Sequence, residues 1–421
     1  MEFKKPRGTT DWYGSNLNKF NEIKFTLQNL AINFGFYEIN TPTFESLNLF
    51  KKSIGEVTDI TQKELYTFQD KKERWMALRP EGTSSVVRAY VEEKMFANKS
   101  NASKLFYILN LFRYERPQSG RLREFHQFGV EYLNVTNHLY DIECLLLGNK
   151  IVELFGLQNY VQLKINYLGD FRQRQEWINE LKKYFEQYKD QLSQDSQNRL
   201  TTNPLRILDD KVDAKKDFVI NAPKLNKFLS AEDKKVFEDI LNGLSTNNIN
   251  YVIDNNLVRG LDYYTGVVFE FVYTNPHDKS ESTIIGGGRY SDLIKQTGGP
   301  DEVGLGFAMG LERLLLALED TNYNFKTNNN PKVVIGASSY EASLAAMHYI
   351  NILRDNNIHA VMDFGNYKKD KNAKYAIKNN AEYFVFISDE DICNPKLNVE
   401  DMSNHNKEQL TINELVMRIN K

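Results

Sequence analysis

The chain has 421 residues with a formal net charge of −3, and hydrophobic residues make up 41% of it. This length is typical of two or three domains with packed cores, and the balanced charge excludes a basic surface over the whole molecule, although a local patch would suffice to bind nucleic acid. The only cysteines, Cys144 and Cys393, are too few for a disulfide framework or a four-thiolate zinc site.

The first part of the chain predicts a large mixed sheet, mainly antiparallel, with helices packed on it. Apolar residues at helical spacing predict a helix over 17–34, which Gly35 ends, and a strand over FYEINTPTFE (36–45) follows. Further strands are predicted at residues 65–68, 75–78, 105–114, 123–134, 161–167, 264–273 and 281–286, with helices at 83–97 and 140–156.

The later part of the chain changes character twice. A charged helical stretch, about 172–250, reads as a helical insertion in the sheet domain, which spans 1–325. A polar, asparagine-rich segment then predicts a linker at 326–331. Strands and helices alternate over 332–421, which predicts a small, mostly parallel α/β domain.

No apolar run of the sequence approaches the roughly 18 residues that a membrane-spanning helix needs. The first residues, MEFKKPRGTTDW, also lack an apolar signal core. We therefore expect a cytoplasmic protein with no membrane partner.

The stretch LFRYERPQSGRLREFHQFGVEYLN (111–134) carries the strongest sign of chemistry. Two strands flank a Pro- and Gly-punctuated loop, and a period of two places Arg113 and Glu115 on one face of the first strand. The second strand places an aromatic ring, an amide, a glycine and a carboxylate on one face: Phe125, Gln127, Gly129 and Glu131. A mid-strand glycine often marks the close approach of a ligand. The alternative is a hairpin with one solvated face.

Three other segments have structural alternatives as well. Glu81 and Thr83 stand in a turn ahead of a predicted helix, where Thr83 could simply cap the helix. Arg313 lies in the first turns of a helix, where a cation opposes the helix dipole, unless it forms an i,i+4 surface ion pair. The triple glycine of GGGRYSDL (286–293) matches no phosphate-loop pattern and favours close backbone packing beside a pocket.

Together these pieces resemble the class II aminoacyl-tRNA synthetases. The three class motifs are similar to FGFYEINTPTFE (34–45, with Pro42), FRYERPQSGRLREFHQFGVE (112–131) and GLGFAMGLERL (304–314). Further segments resemble the histidyl-tRNA synthetase family in particular: PRGTTDW, TDITQKELYTFQD, LRPEGT, TNPLRILDDK, LVRGLDYYTG (257–266) and GGGRY. The resemblance covers essentially the whole chain.

This resemblance implies an α+β catalytic domain with a mainly antiparallel sheet, a helical insertion and a C-terminal α/β anticodon-binding domain. It implies activation of histidine by ATP to histidyl-adenylate, followed by transfer to the 3′ end of tRNA(His). Mg²⁺ would be bound through the ATP phosphates, with no metal site from the protein alone. The first motif implies a homodimer.

The resemblance also implies roles for individual residues. Arg113 would grip the α-phosphate, Arg121 and Arg313 the outer phosphates, Glu115 the adenine amino group, and Phe125 the adenine ring. Glu81, Thr83 and Gln127 would orient the α-ammonium group of histidine, while Glu131, Tyr263 and Tyr264 would surround its imidazole. The exposed loop would meet the tRNA acceptor end through Arg116 and Gln118.

Arg259 receives a special role by the same resemblance. Many class II enzymes use a metal ion near the α-phosphate, whereas in the histidyl family a guanidinium from the LVRGLDYYTG segment takes that place. Arg113 and Arg259 are therefore the expected catalytic pair.

Two other classes of protein remain as alternatives. One is a synthetase-like regulatory subunit of ATP phosphoribosyltransferase, which usually lacks the C-terminal domain and has degraded histidyl motifs. The other is a class II synthetase for threonine, proline or glycine. The chain departs from the usual family pattern at WYGSN (12–16) and at Ser291, so local contacts there are open.

Overall fold

The structure is a computed structural model that describes residues 3–55, 58, 60–97, 102–208, 210, 212–258, 263–326 and 330–420. Two compact units divide the chain, Met1–Lys326 and Thr327–Lys421. Each has buried apolar clusters of its own.

The first unit contains ten α-helices and eleven strands within its described residues. The helices are α1 Gly14–Asn33, α2 Leu47–Ile54, α3 Thr83–Glu92, α4 Leu139–Leu154, α5 Phe171–Glu186, α6 Gln194–Thr202, α7 Asp217–Ile220, α8 Ala231–Thr246, α9 Leu293–Gln296 and α10 Leu311–Asp320. The strands are β1 Tyr37–Glu38, β2 Phe44–Ser46, β3 Thr67–Gln69, β4 Trp75–Leu78, β5 Ser103–Phe112, β6 Glu124–Leu133, β7 Val161–Tyr167, β8 Tyr251–Ile253, β9 Tyr264–Thr274, β10 Glu281–Tyr290 and β11 Gly304–Gly310.

Eight strands form the main sheet in the order β1-β5-β6-β11-β10-β9-β7-β8. Only the outermost pairs, β1 with β5 and β7 with β8, are parallel, and the strands between them are antiparallel. The predicted mixed, mainly antiparallel sheet is therefore confirmed. The central strands are rich in β-branched and aromatic residues, and their buried side chains pack against helices on the sheet.

The strand predicted over 36–45 is wrong as a single element. β1 pairs with β5 in the main sheet, whereas β2 pairs with β4 in a separate three-stranded sheet of order β2-β4-β3. Pro42 lies between the two strands and has no amide hydrogen to continue a ladder. The buried guanidinium of Arg79 closes this break by donating to the Thr41 carbonyl oxygen at 2.6 Å and to Asn110 Oδ1 at 2.7 Å.

The charged stretch after β7 is helical, with α5 to α8 lying between Phe171 and Thr246. Asp170 begins α5 with a capping box, in which its side chain accepts from the Gln173 amide. α5 buries Trp177, which donates to the Pro223 carbonyl oxygen at 2.6 Å. Arg174 on the same helix donates to the Tyr264 carbonyl oxygen at 2.9 Å, so the insertion contacts the start of β9 directly.

The second unit contains β12 Val333–Ala337, α11 Tyr340–Asp355, β13 Ala360–Met362, α12 Lys369–Lys378, β14 Tyr383–Ile387, β15 Lys396–Asp401, β16 Lys407–Thr411 and α13 Ile412–Ile419. Its sheet has the order β13-β12-β14-β15-β16, in which the first three strands are parallel. The antiparallel β15 and β16 were not predicted, so the domain is α/β but less parallel than expected. Leu397 and Val399 alternate with exposed residues in β15 and could have signalled that strand.

Candidate active site

Two adjoining cavities lie on the main sheet, over strands β6, β9, β10 and β11. The larger has a volume of about 320 Å³ and is lined by Arg113, Arg121, Phe125 and Arg313, among others. The smaller, of about 60 Å³, is lined by Glu81, Thr83, Glu131, Tyr263 and Tyr264, among others. Four residues line both cavities: Arg113, Gln127, Gly286 and Ala308.

The predicted strand positions of Arg113 and Glu115 are wrong, because β5 ends at Phe112. Both residues lie in the loop that leads away from β5, yet both still line the larger cavity. Arg113 is fixed there by its Nε, which donates to the Pro80 carbonyl oxygen at 2.8 Å. Its guanidinium lies over the Phe125 ring, 5.4 Å from the centroid. Phe125 thus presents an aromatic surface beside a cation.

The larger cavity gathers three arginines around one space. Arg121 pairs with the Glu115 carboxylate, and Arg313 donates to the carbonyl oxygens of Thr283 at 2.8 Å and Gly120 at 3.3 Å. Burial, followed by the nearby charge of Arg121, lowers the pKa of Arg313. Glu115 and Glu270 offset part of this repulsion, and an anionic ligand in the cavity would offset more of it.

The alternative of an i,i+4 ion pair for Arg313 is wrong. The residues four positions away in each direction are Met309 and Ala317, neither of which carries a charge. Arg313 instead donates to one main-chain oxygen in the loop between β5 and β6 and to one in β10.

Glu81, rather than Thr83, caps helix α3. The Glu81 carboxylate accepts from the amides of Thr83 at 2.7 Å and Ser84 at 2.8 Å. This arrangement frees the Thr83 hydroxyl to donate to Glu131 Oε1 at 2.7 Å. The alternative of a simple threonine cap is therefore wrong, and two acidic side chains meet at one helix N-terminus, where the dipole favours negative charge.

Glu131 is the most unusual group of the smaller cavity. Its carboxylate is 1% exposed and accepts from the hydroxyls of Thr83 and Tyr290, the latter at 2.8 Å. Burial raises the pKa of Glu131 to about 8, although the two hydrogen bonds oppose the shift. Burial in the ligand-free cavity therefore favours the neutral acid form of Glu131.

Three further residues named in the sequence analysis, Gln127, Tyr263 and Tyr264, also line the smaller cavity. Gln127 lines both cavities, and the rings of Tyr263 and Tyr264 lie 4.7 Å apart at the cavity wall. Tyr263 also contacts Tyr290 edge to face, at 5.6 Å between centroids. The wall is aromatic and its floor is polar, as in most small-molecule sites.

The interpretation of Gly129 as a gap for a ligand is wrong. A Cβ atom there would overlap the ring of Tyr107, which lies opposite it on β5 and fills the gap. The triple glycine behaves as predicted, because a Cβ atom at Gly287 would overlap the backbone of β11.

Arg116 and Gln118 do not line either cavity; both are exposed in the loop between β5 and β6. Gln118 and Arg121 exchange main-chain hydrogen bonds of 3.0 and 2.9 Å, which tightens the loop. Gly120 completes this turn with φ of +67°, a conformation that favours glycine.

Arg259 lies outside the described residues, together with its neighbours 260–262. Val258 and Tyr263, on either side of the gap, are both buried. The role of Arg259 stays a prediction.

Sequence reasoning missed several cavity residues: Tyr107, Glu270, Thr283, Tyr290 and Glu312. Glu270 interrupts the apolar run VVFEFVY, so the signal that revealed Glu131 was available there also. Glu312 accepts from the amide of His126 at 3.0 Å and contacts its Nδ1 at 2.8 Å, which ties α10 to β6. Tyr107 gave no signal, because tyrosine fits the apolar pattern of a strand, whereas Tyr290 lies in the GGGRY segment but was not singled out within it.

Within the described part of the chain, no group of three or more histidine, cysteine, aspartate or glutamate residues is arranged to hold a metal ion. No helix among the described residues is long and apolar enough to cross a membrane.

Comparisons with known proteins agree over the whole length. The histidyl-tRNA synthetase family model matches residues 8–314, and the anticodon-binding domain model matches residues 332–421. The histidine–tRNA ligase of Ureaplasma parvum serovar 3 is 43% identical over 416 residues, which cover 99% of each chain. That of Staphylococcus aureus strain Newman is 41% identical over 414 residues, 98% of each chain. The crystal structure of apo S. aureus histidyl-tRNA synthetase superposes with a TM-score of 0.84 at 36% identity, covering 100% of both chains.

The resemblance predicted from the motifs is thereby confirmed, as is the predicted fold class. The family model covers well over half of the chain, and the relatives match it from end to end. The chain belongs to the histidyl-tRNA synthetase family.

Proposed function

We propose that the protein is a histidine–tRNA ligase, which activates histidine with ATP to histidyl-adenylate and transfers the histidyl group to the 3′ end of tRNA(His). The observation that carries this proposal is the pairing of the two cavities. An arginine-lined space that suits a polyphosphate opens onto a small space built around a buried acid. Arg113 and Gln127 line both, so they stand where the two substrates would meet.

ATP would occupy the larger cavity. Arg113 would contact the α-phosphate, and Arg121 and Arg313 the outer phosphates, relieving the repulsion among the three cations. Phe125 would stack on the adenine, whose amino group would donate to Glu115. The Arg121–Glu115 ion pair would have to loosen as ATP enters, because both partners then gain new contacts.

Mg²⁺ would arrive on the ATP phosphates, where it neutralises charge on the leaving pyrophosphate. Three carboxylates line the same cavity, those of Glu115, Glu270 and Glu312. Glu312 is engaged by His126 and Glu115 by Arg121, whereas Glu270 accepts from the Thr283 hydroxyl at 2.7 Å. Because Mg²⁺ binds through phosphates and waters with at most one or two carboxylates, it would be held mainly by the ATP phosphates, beside these carboxylates.

Histidine would occupy the smaller cavity. Glu81, Thr83 and Gln127 would orient its α-ammonium group, while Tyr263 and Tyr264 would enclose the imidazole. Glu131 as a neutral acid can share its proton with the imidazole, so that a buried ionised carboxylate is always matched by an imidazolium. An apolar amino acid of similar size would offer Glu131 and its hydroxyl partners no hydrogen bond. The free-energy cost of these unpaired buried groups would exclude such an amino acid.

In the activation step a histidine carboxylate oxygen would attack the α-phosphorus. A new P–O bond forms, the bond from the α-phosphorus to the bridging oxygen breaks, and pyrophosphate leaves with that electron pair. Arg113 and Arg259 would stabilise the negative charge that gathers on the α-phosphate. The 3′-terminal hydroxyl of tRNA(His) would then attack the histidyl carbonyl and release AMP.

The tRNA would be bound by separate parts of the chain. The exposed Arg116 and Gln118 would meet its acceptor end, and the insertion, about 172–250, would lie over the acceptor stem. We assign 1–325 to a catalytic domain, 326–331 to a linker and 332–421 to an anticodon-binding domain. There the lysine-rich segment YKKDKNAKYA (367–376) offers phosphate contacts, although a single lysine is as well explained by a solvated helix face.

We further propose that the protein acts as a cytoplasmic homodimer. In support, β1 is the edge strand of the main sheet, and large apolar side chains are exposed on α1 and β1, namely Phe25, Ile32 and Tyr37. Equilibrium sedimentation would give twice the 49.0 kDa chain mass for a dimer, and the single chain mass would contradict it.

The alternatives are less well supported. A regulatory subunit of ATP phosphoribosyltransferase would have no need of the arginine cluster, and such subunits usually lack the anticodon-binding domain that matches 332–421 here. A synthetase for threonine, proline or glycine is disfavoured by the segments LVRGLDYYTG and GGGRY, which resemble the histidyl family in particular.

Amino-acid-dependent ATP–pyrophosphate exchange, measured with each of the twenty amino acids, tests the proposal. We expect exchange with histidine and only background with the others. Exchange with another amino acid and none with histidine would overturn the assignment, whereas exchange with histidine but no charging of tRNA would locate the fault in tRNA docking.

A further inference from the structure

The helical insertion is bonded to the end of the segment LVRGLDYYTG (257–266). Arg174, in the first turn of α5, donates from Nη1 to the Tyr264 carbonyl oxygen at 2.9 Å. Two residues further on, Gly266 donates to the Gly169 carbonyl oxygen at 2.9 Å and accepts from the Leu168 amide at 2.6 Å. The end of the segment is therefore fixed to the residues that lead into the insertion and to the first turn of its first helix.

The beginning of the segment is bonded to the same region of the chain. Asn166, a buried residue of β7, donates from Nδ2 to the Leu257 carbonyl oxygen at 3.0 Å. Just before the segment, Asn256 Oδ1 accepts from Nζ of Lys224 in the insertion at 2.7 Å. The segment is thus bonded to the end of β7 and to the insertion on both sides of residues 259–262, which lie outside the described residues.

A network of side chains fixes the part of α5 that carries Arg174. Its neighbour Gln173 exchanges hydrogen bonds with Asp170 in the capping box and donates from Nε2 to Asp233 Oδ2 at 2.6 Å. The Tyr167 hydroxyl at the end of β7 donates to the other oxygen of Asp233 at 3.2 Å. Because Asp233 lies in the first turn of α8, this network joins two helices of the insertion to the main sheet.

The burial of Arg174 indicates a purpose beyond packing. The residue is 9% exposed, yet it lines neither cavity. Removing a guanidinium from water is costly, and a neutral side chain of similar length would pack there without that cost. What the cation provides is a strong donor to the main chain of Tyr264, whose side chain lines the smaller cavity.

We propose that Arg174 is a positioning residue for amino-acid activation, and that it acts from the insertion through the main chain of Tyr264. Without this bond the start of β9 is less firmly fixed, and Tyr264 loses its defined place in the smaller cavity. The inference rests on the proposed histidine–tRNA ligase function and gives the insertion a second role in it. The element proposed to lie over the acceptor stem also shapes the space for histidine, and it does so without contacting either substrate.

The test measures ATP–pyrophosphate exchange with histidine in full-length Arg174→Met and Arg174→Lys. Arg174→Met keeps a long side chain but removes the donor, so the KM for histidine should rise roughly 10-fold, with the KM for ATP unchanged. Arg174→Lys retains a charged donor but lacks the fork of the guanidinium, so the rise should be smaller, roughly 3-fold.

Arg88→Met is the matched control. Arg88 is also a helix arginine of the first unit, 25% exposed at its side chain, but it pairs with Glu45 and Glu92 and lines neither cavity. Its replacement should leave both KM values unchanged.

The KM for histidine separates positioning from a structural effect. Partial unfolding lowers kcat, but the molecules that stay folded keep their KM. An unchanged KM for histidine in Arg174→Met, or equal rises for histidine and ATP, would overturn the inference. If Arg174→Met does not fold, Arg174→Lys decides in the same way, and failure of both variants to fold would make Arg174 structural and the inference wrong. A wild type without histidine-dependent exchange would instead overturn the proposed function itself.

Discussion

The two cavities of the first unit differ in size and in charge: the smaller encloses a carboxylate, and the larger collects arginines. The smaller is about 60 Å³, encloses a carboxylate that is 1% exposed and pairs it with fixed hydroxyls. The larger is about 320 Å³ and collects cations, of which Arg121 is 46% exposed at the side chain. The smaller cavity can select its ligand, because a wrong ligand leaves polar groups of the cavity unpaired. The larger cavity can attract any polyphosphate by charge. Selectivity and charge stabilisation are therefore held in different places, and they meet at Arg113.

The largest effect is expected where the two cavities meet. Arg113→Ala removes a fixed cation from the position where the transition state gains charge, so kcat for ATP–pyrophosphate exchange should fall by roughly 10³-fold or more. Arg113→Lys should recover only part of this loss, because an ammonium lacks the planar fork. Steady-state exchange kinetics give the measurement, and near-normal kcat in Arg113→Ala would show that the cavities do not meet as described.

A pH series on stability sharpens the contrast between the cavities. The pKa of Glu131 is about 8 in the folded chain, well above its usual value near 4.5, so the folded state holds a proton that the unfolded state has lost. Between about pH 4.5 and pH 8 this carboxyl should lower the free energy of unfolding by roughly 1.4 kcal/mol for each unit of rising pH.

Glu131→Gln removes that dependence. As the pH rises from 5 to 8, the free energy of unfolding of Glu131→Gln should therefore increase by roughly 2–4 kcal/mol relative to that of the wild type. Above pH 8 the difference should become constant. Urea unfolding at each pH measures it. A relative stability that does not change with pH would show that Glu131 is ionised in the ligand-free protein.

The smallest effect is expected at the exposed rim of the larger cavity. Arg121→Ala should raise the KM for ATP by roughly 10-fold, and less at high salt, because its charge is half in solvent and already paired with Glu115. Arg74→Ala is the matched control, since Arg74 forms an exposed ion pair with Asp70 and lines neither cavity. An equal rise in the KM for ATP in both variants would mean that the effect is not local to the cavity.

Sequence patterns predicted those residues of the site whose charge is unusual for the strand or helix that carries them. Glu131 is a carboxylate in an apolar strand, and Arg313 is a cation at the start of a helix, so each stood out from its neighbours. Tyr107 did not, because a tyrosine fits the apolar pattern of its strand and its neighbour Gly129 lies on another strand. The same limit applies to Glu81, whose capping of α3 depends on the exact start of that helix.

The fold shows a similar division. Long periodic elements such as α1 and β6 were predictable within a few residues, because burial of one face dictates their pattern. The separation of β1 from β2 was not, since Pro42 marks a break in a strand but does not say which sheet each half joins. In β15 the alternation of Leu397 and Val399 with exposed residues was a usable signal, but it covers only 6 residues of a charged segment.

Direct titration of ligands into the wild type and Glu131→Gln tests the division between the cavities most directly. Calorimetry with histidine and, separately, with ATP would give four dissociation constants under one set of conditions. We expect histidine to bind the variant at least 100-fold more weakly, since an amide cannot exchange a proton with the imidazole and must turn a donor toward one of its hydroxyl neighbours, while ATP binds both proteins equally. Equal affinity of the two proteins for histidine would contradict the account, and a matching loss of ATP affinity would show that the two cavities act as one.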